Sequence, residues 1–142
     1  PAPREWLETH GLSLLGWRCD EMPAFYTRES GLTIDERVES ANEVAAIVKA
    51  RDELEIQTAV LVTVPVPVES GIPRDEVEAI LSDALRRADE NGTRGKDITP
   101  FLLSEMARQS GGQTLSANIA LLETNAAVAS EIAMAISEQA VD

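Results

Sequence analysis

One cysteine and one histidine serve all 142 residues. Cys19 has no partner for an intramolecular disulfide, which fits a reducing cytoplasm. His10 is the sole candidate base for a Ser–His–Asp or Cys–His arrangement. It stands beside Gly11 at an expected helix end, where histidine commonly caps carbonyls. One His and one Cys cannot build a zinc site without several carboxylates. Cationic residues are also scarce: 12 Lys and Arg face 25 Asp and Glu, for a net charge of −13. Phosphate backbones require the opposite sign, so DNA and long RNA are excluded as partners; a single nucleotide in a local basic pocket is not. No unbroken run of about 18 apolar residues is present, and no membrane span is expected. The opening "PAPREWLETHG" has neither a signal-peptide core nor an initiator Met. It reads as the tail of a helix, and we expect residues upstream of it.

What the chain does have is enough apolar residues, 44%, for one domain over residues 1–142. "PREWLETH" reads as a helix stopped by Gly11 at its C′ position. "LSLLGW" is a short buried strand. "RCDEMPAFYTRESG" is a loop, and "LTIDERV" a short edge strand. "SANE" is a capping box with Ser40 as N-cap and Glu43 three residues on. Thr58 to Val64 is an almost continuous β-branched run, expected to be a strand buried on both faces. Pro65 and Pro67 end it. "IPRDEVEAILSDALRRADENG" has Val77, Ile80, Leu81, Ala84, Leu85 and Ala88 at helical spacing, Pro73 near its first position, and Gly92 as its stop. Another helix opens at Thr99 and Pro100 and closes before Gly111 and Gly112. In the last helix Leu115, Leu122, Ala129, Ile132 and Ile136 fall on one face, with Asn118 and Asn125 among them. Helix, strand, loop, helix, strand and three helices predict an α/β fold. The form expected is a partial α/β/α sandwich, with few parallel strands, helices on both faces and a helix-rich C-terminus.

Few residues here invite chemistry. Cys19 lies at the C-terminal end of a strand, where ligands bind in open α/β sheets. Its acidic neighbours Asp20 and Glu21 would raise rather than lower the thiol pKa, so an inert thiol is the better reading. "NGTRGKD" lacks the Walker spacing and reads as a helix C-cap, with Arg94 or Lys96 as a weak anion contact. The many carboxylates mostly belong to solvated helix faces. Phe25 and Tyr26 follow a proline just beyond a strand end; they close the core or wall a pocket against a flat ring. Asn118 and Asn125 pose a sharper problem, because a buried amide without a partner costs about 1–3 kcal/mol. Asn118 is tied to neighbouring backbone or hydrogen-bonds a polar ligand, to which an amide offers both donor and acceptor.

"CDEMPAFYTRESG", "RGKDITPFLLSEM" and "GGQTLSANIALLETNAAVA", in this order and spacing, resemble the pseudouridine-5′-phosphate glycosidases, also called indigoidine-synthase-A-like proteins. The resemblance covers the C-terminal half of that family. It implies reversible cleavage of the C–C glycosidic bond of pseudouridine 5′-phosphate to uracil and ribose 5-phosphate. It further implies manganese, a cytoplasmic homotrimer of α/β/α subunits, a lysine Schiff base and a glutamate proton donor. A C–C bond has no protonatable leaving oxygen, so an iminium electron sink suits the reaction. The family's catalytic Lys and Glu, its phosphate-binding groups and its metal-binding Asp match nothing here; Lys49 and Lys96 are surface residues and no substitutes. The resemblance therefore implies that the isolated chain is inactive and holds no metal ligand. Asn118 matches the family asparagine near the base, and Phe25 and Tyr26 are further substrate-contact candidates. Asn125 carries no such role and is expected to be a buried amide satisfied by backbone. Val64 stands where the family has Asn, and Cys19 where it has Thr; both departures remove polar groups near strand ends. They leave room for a second reading, a non-catalytic remnant that serves as a binding or assembly module of the same fold.

Overall fold

The computed structural model describes residues 2–139. Five helices and three strands run in the order α1 (Ala2–Thr9), β1 (Ser13–Trp17), β2 (Glu36–Val38), α2 (Ala41–Glu53), β3 (Val60–Thr63), α3 (Arg74–Glu90), α4 (Ile98–Gln109) and α5 (Gln113–Gln139). The sheet is parallel throughout, in the order β2–β1–β3. Ser13 pairs with Val60 and Leu15 with Val62, so Leu15, Trp17, Val60 and Val62 share one face. That face meets Val44 of α2 and Val128 of α5 in one apolar core. Leu14 points to the opposite face and is fully buried; α1 packs against its strand. A second core joins Tyr26, Val66 and Ile72 to Val77 and Ala84 of α3, Met106 of α4, and Ala117 and Leu121 of α5.

Local chemistry sets the boundaries. Gly11, at φ +67°, closes α1 in a Schellman turn, with Leu12 N–H on the Leu7 carbonyl and Gly11 N–H on that of Glu8. Ser40 caps α2, its hydroxyl accepting from Glu43 N–H at 3.4 Å. The Glu43 carboxylate reaches back to the Glu39 N–H rather than to Ser40's own. Pro73 is the N-cap of α3, one position before the expected one. A 3-10 turn, Gly95–Asp97, leads into α4, so that helix starts just ahead of Thr99. Gly16 permits a close approach: a Cβ there would lie 2.3 Å from the Cys19 carbonyl oxygen.

Two expectations need correction. β3 is not buried on both faces. It is an edge strand paired only with β1, its residues are half-buried at best, and Leu61 is 38% exposed. The buried face of α5 is also one residue out of phase with the expected one. Thr114, Ala117, Leu121, Val128 and Ala135 face inward, where Leu115, Asn118, Leu122, Asn125, Ala129, Ile132 and Ile136 were expected; of these Ile132 does pack against the core. Leu121 is 8% exposed and its neighbour Leu122 61%. Thr and Ala on the inner face let α5 lie close to α2 and α4, which leaves the larger side chains outside. This open stripe gives α5 the length and mean hydropathy, 1.4, of a membrane span. Its inner face is nevertheless packed on α2 and α4, and Glu123 and Glu131 are carried along its length.

Candidate functional site

A cleft of about 540 Å³ opens where β3 ends. Val62, Thr63 and Val64 form its floor, Pro23 and Phe25 one wall, and Leu121, Asn125, Val128, Ala129 and Ile132 of α5 the other. This is the C-terminal end of a parallel strand, the usual ligand position in open α/β sheets.

The loop between β1 and β2 aims Phe25. Its neck is closed by Met22 N–H on the Leu32 carbonyl and Ile34 N–H on that of Asp20. The Glu21 carboxylate accepts from the N–H groups of Ser30 (3.1 Å) and Gly31 (2.7 Å). Arg28 donates from Nη1 to the Val66 carbonyl, tying the loop to the segment after β3. At the tip, Ala24 and Thr27 pair as a narrow hairpin with Phe25 and Tyr26 as its two central residues. Phe25 takes φ +62°, at a hairpin position that normally needs glycine. A left-handed conformation costs a side-chain-bearing residue about 1–2 kcal/mol. The surrounding brace holds that strain, and its effect is to turn the two aromatic rings to different surroundings.

Of those rings, Phe25 is 46% exposed and lines the cleft, whereas Tyr26 is 6% exposed and sits in the α3–α4–α5 core. They meet edge to face, 4.5 Å between centroids. The backbone of Tyr26 also accepts from Ile72 N–H at 3.0 Å. Burial raises the Tyr26 phenol pKa above the usual range, an effect its hydrogen bond with Thr114 partly offsets.

The amides divide differently from expectation. Asn125 is exposed and lines the cleft, so it is not the buried, backbone-satisfied amide foreseen. Asn118 is half-buried and lies outside the lining residues. The two stand about 10 Å apart along the same open stripe, given a rise of about 1.5 Å per residue. Asn125 carries the same sequence signal as Asn118, an amide among apolar residues at helical spacing. The family resemblance gives it no role, and its place on the cleft shows only in the fold. Val64 lines the cleft beside Val62 and adds to its apolar floor. The Thr63 hydroxyl donates to the Leu15 carbonyl at 3.0 Å.

The remaining candidates are structural. His10 Nδ1 lies 2.8 Å from the Trp6 carbonyl oxygen and its ring stacks on Trp6 at 4.0 Å, a helix-end cap. Burial raises the Cys19 thiol pKa, opposed by its hydrogen bond with Thr63 and by Arg28 and Arg37; Asp20 adds only the smallest effect. Cys19 belongs to a separate, charged hollow of about 240 Å³ with Arg18, Arg28 and Arg37 set against Asp20, Glu21 and Glu29. Arg94 is paired to Asp89 at 2.7 Å. Among the described residues no three His, Cys, Asp or Glu side chains gather where they could hold a metal.

A family model of indigoidine synthase A like protein matches residues 1–135. Pseudouridine-5′-phosphate glycosidases of Kosmotoga olearia and Myxococcus xanthus are each 47% identical, over 94% and 95% of this chain. A prealnumycin C-glycosynthase solved in complex with ribulose 5-phosphate superposes on 98% of the chain with a TM-score of 0.85 at 31% identity. An indigoidine synthase A-like protein of Thermotoga maritima superposes on 94% with a TM-score of 0.81 at 40% identity. The chain spans less than half of each: 46% and 45% of the two glycosidases, and 46% and 43% of the two solved chains.

Proposed function

The chain belongs to the indigoidine synthase A like protein family, and on that premise we propose that it supplies the base-side wall of a C-glycosidase site for pseudouridine 5′-phosphate. The observation that carries this reading is the cleft beyond β3, where a strained, braced Phe25 faces the amide of Asn125 across an apolar floor. A ring held at φ +62° at a cleft mouth is a face for a flat heterocycle to stack on. An amide both donates and accepts, as the edge of uracil requires. Asn118 matches the asparagine that the family resemblance places near the base; it lies about 10 Å along the helix from Asn125, outside the cleft lining, and is the second amide of this reading. Val62, Val64 and Val128 keep water from the bound ring.

Cleavage itself needs the Schiff-base lysine and the glutamate acid implied by the resemblance, and both belong to the part of the fold this chain does not span. Among the described residues no side-chain cluster fits a manganese site either, so the metal is assigned to that other part and no step is derived through it here. A cytoplasmic trimer remains part of this reading.

The test uses the chain assembled with the portion of the Kosmotoga olearia glycosidase outside the matched segment. Asn118→Ala and Asn125→Ala are each expected to lower kcat/KM for pseudouridine 5′-phosphate about tenfold, the scale of one lost hydrogen bond of about 1–1.5 kcal/mol. The apolar Val64 in the cleft favours the alternative, a non-catalytic remnant. An assembly indifferent to both substitutions would support that alternative instead.

A further inference from the structure

We propose that the cleft beyond β3 selects flat rings with one lactam edge and hydrocarbon elsewhere, that it binds them more tightly than uracil, and that Val64 sets this preference. The inference rests on the reading of this cleft as the base site, and it names the class of ring the wall prefers. Uracil carries two carbonyls and two N–H groups on one small ring, so polar groups point from most of its edge. The lining does not match that pattern. Among its side chains only Thr63 and Asn125 are polar, and none is charged. The Thr63 hydroxyl is already given to the Leu15 carbonyl at 3.0 Å. Asn125 therefore stands alone, among the described lining residues, as a partner for a ring edge.

A side-chain amide pairs its carbonyl and its NH2 group with one neighbouring N–H and C=O of a ring, which is one lactam. The rest of the ring meets the floor. That floor is a sheet face: Val62 and Val64, two residues apart, turn their side chains to the same side, against the core that Val128 and Ile132 of α5 share. Such a face offers side chains, because strand backbone groups point within the sheet plane. A second carbonyl or N–H set on it is stripped of water and finds no partner. A C–H edge in the same place gains by burial. Phe25 leaves this balance alone, since its ring stacks on either kind of face. An apolar pocket rejects an added polar group by about a hundredfold at most, so uracil is disfavoured and not excluded. Val64 is the floor residue best placed to set the choice. It follows the last residue of β3 paired to β1, so a change there leaves the strand ladder intact.

Titration of the chain with 2-pyridone and with uracil tests the proposal. Binding is read from the Asn125 side-chain amide signal in nitrogen–proton NMR spectra and by saturation transfer from protein to ligand. 2-Pyridone keeps one lactam of uracil and has C–H groups round the rest of its ring. It should bind at least about tenfold more tightly than uracil. Asn125→Ala should weaken 2-pyridone about tenfold, through loss of its one partner. Val64→Asn should remove the preference by giving the floor a polar group, and Val64→Thr, closer to valine in shape, should narrow it. Thermal unfolding verifies that each variant folds; if Val64→Asn does not, Val64→Thr carries the test. Uracil bound as tightly as 2-pyridone, an unchanged ratio in the folded Val64 variants, or no binding of either ring would overturn the proposal. If uracil is preferred while the assembled protein cleaves pseudouridine 5′-phosphate, the selectivity falls and the catalytic reading stands. The preference as predicted, with no cleavage by that assembly, would leave the selectivity standing and count against the catalytic reading.

Discussion

Phe25 and Tyr26 are adjacent in sequence and opposite in role. The hairpin tip turns one ring to the cleft and drives the other into the core. Phe25→Gly should therefore change stability by no more than about 1 kcal/mol, because relief of the left-handed strain offsets glycine's entropy. Tyr26→Ala should cost about 3–5 kcal/mol, as for other large buried aromatics. Urea denaturation of both variants separates them; equal losses would contradict the division of labour. Cys19 and Tyr26 supply a pH dependence as well. Burial raises both pKa values, so their contribution to stability is fully present below the unfolded values, about 8.5 for a thiol and 10 for a phenol. It is lost as pH rises through the higher folded values. The urea midpoint should fall between about pH 8 and pH 10, and less steeply in Cys19→Ala than in the native chain. Identical slopes would show that the thiol takes no part.

On α5 a single step along the chain separates core from surface. Leu121→Ala should cost about 2–5 kcal/mol and Leu122→Ala within about 0.5 kcal/mol. Thermal or urea unfolding of the pair decides the helix phase directly, and a reversed order would refute it. The stripe of Leu115, Leu122, Ala129 and Ile136 was visible in the sequence as an apolar face; which surface it meets was not. Periodicity finds a face without naming its partner, and here the inner face is made of smaller residues such as Thr114 and Ala117. The same limit explains β3. A β-branched run such as Val60 to Val64 announces a strand that belongs in a sheet interior, but cannot say that it pairs with β1 alone among the described residues. Caps and stops were far more legible. Ser40 with Glu43, Gly11 and Gly92 act through residues a few positions away, so their chemistry is complete in the local sequence.

At the scale of the whole molecule, the loop words that carried the family resemblance turn out to be a brace and a tip. Glu21 with Ser30 and Gly31, Arg28 with Val66, and Tyr26 in the core hold Phe25 at a cleft whose far wall is α5. Asn125 joined that wall only when the fold brought α5 against β3, which no spacing in the sequence specifies. An exposed strand edge, an open helix face and the cleft lie together on a chain that spans less than half the length of its relatives. The most direct measurement is the release of uracil from pseudouridine 5′-phosphate in the presence of manganese. It compares the chain alone with the chain joined to the non-matching portion of the Kosmotoga olearia glycosidase. We expect no release from the chain alone, and uracil with ribose 5-phosphate in equal amounts from the joined protein. A folded joined protein that releases neither, or release by the chain alone, would contradict the assignment of the base-side wall to this chain and of the chemistry to its complement.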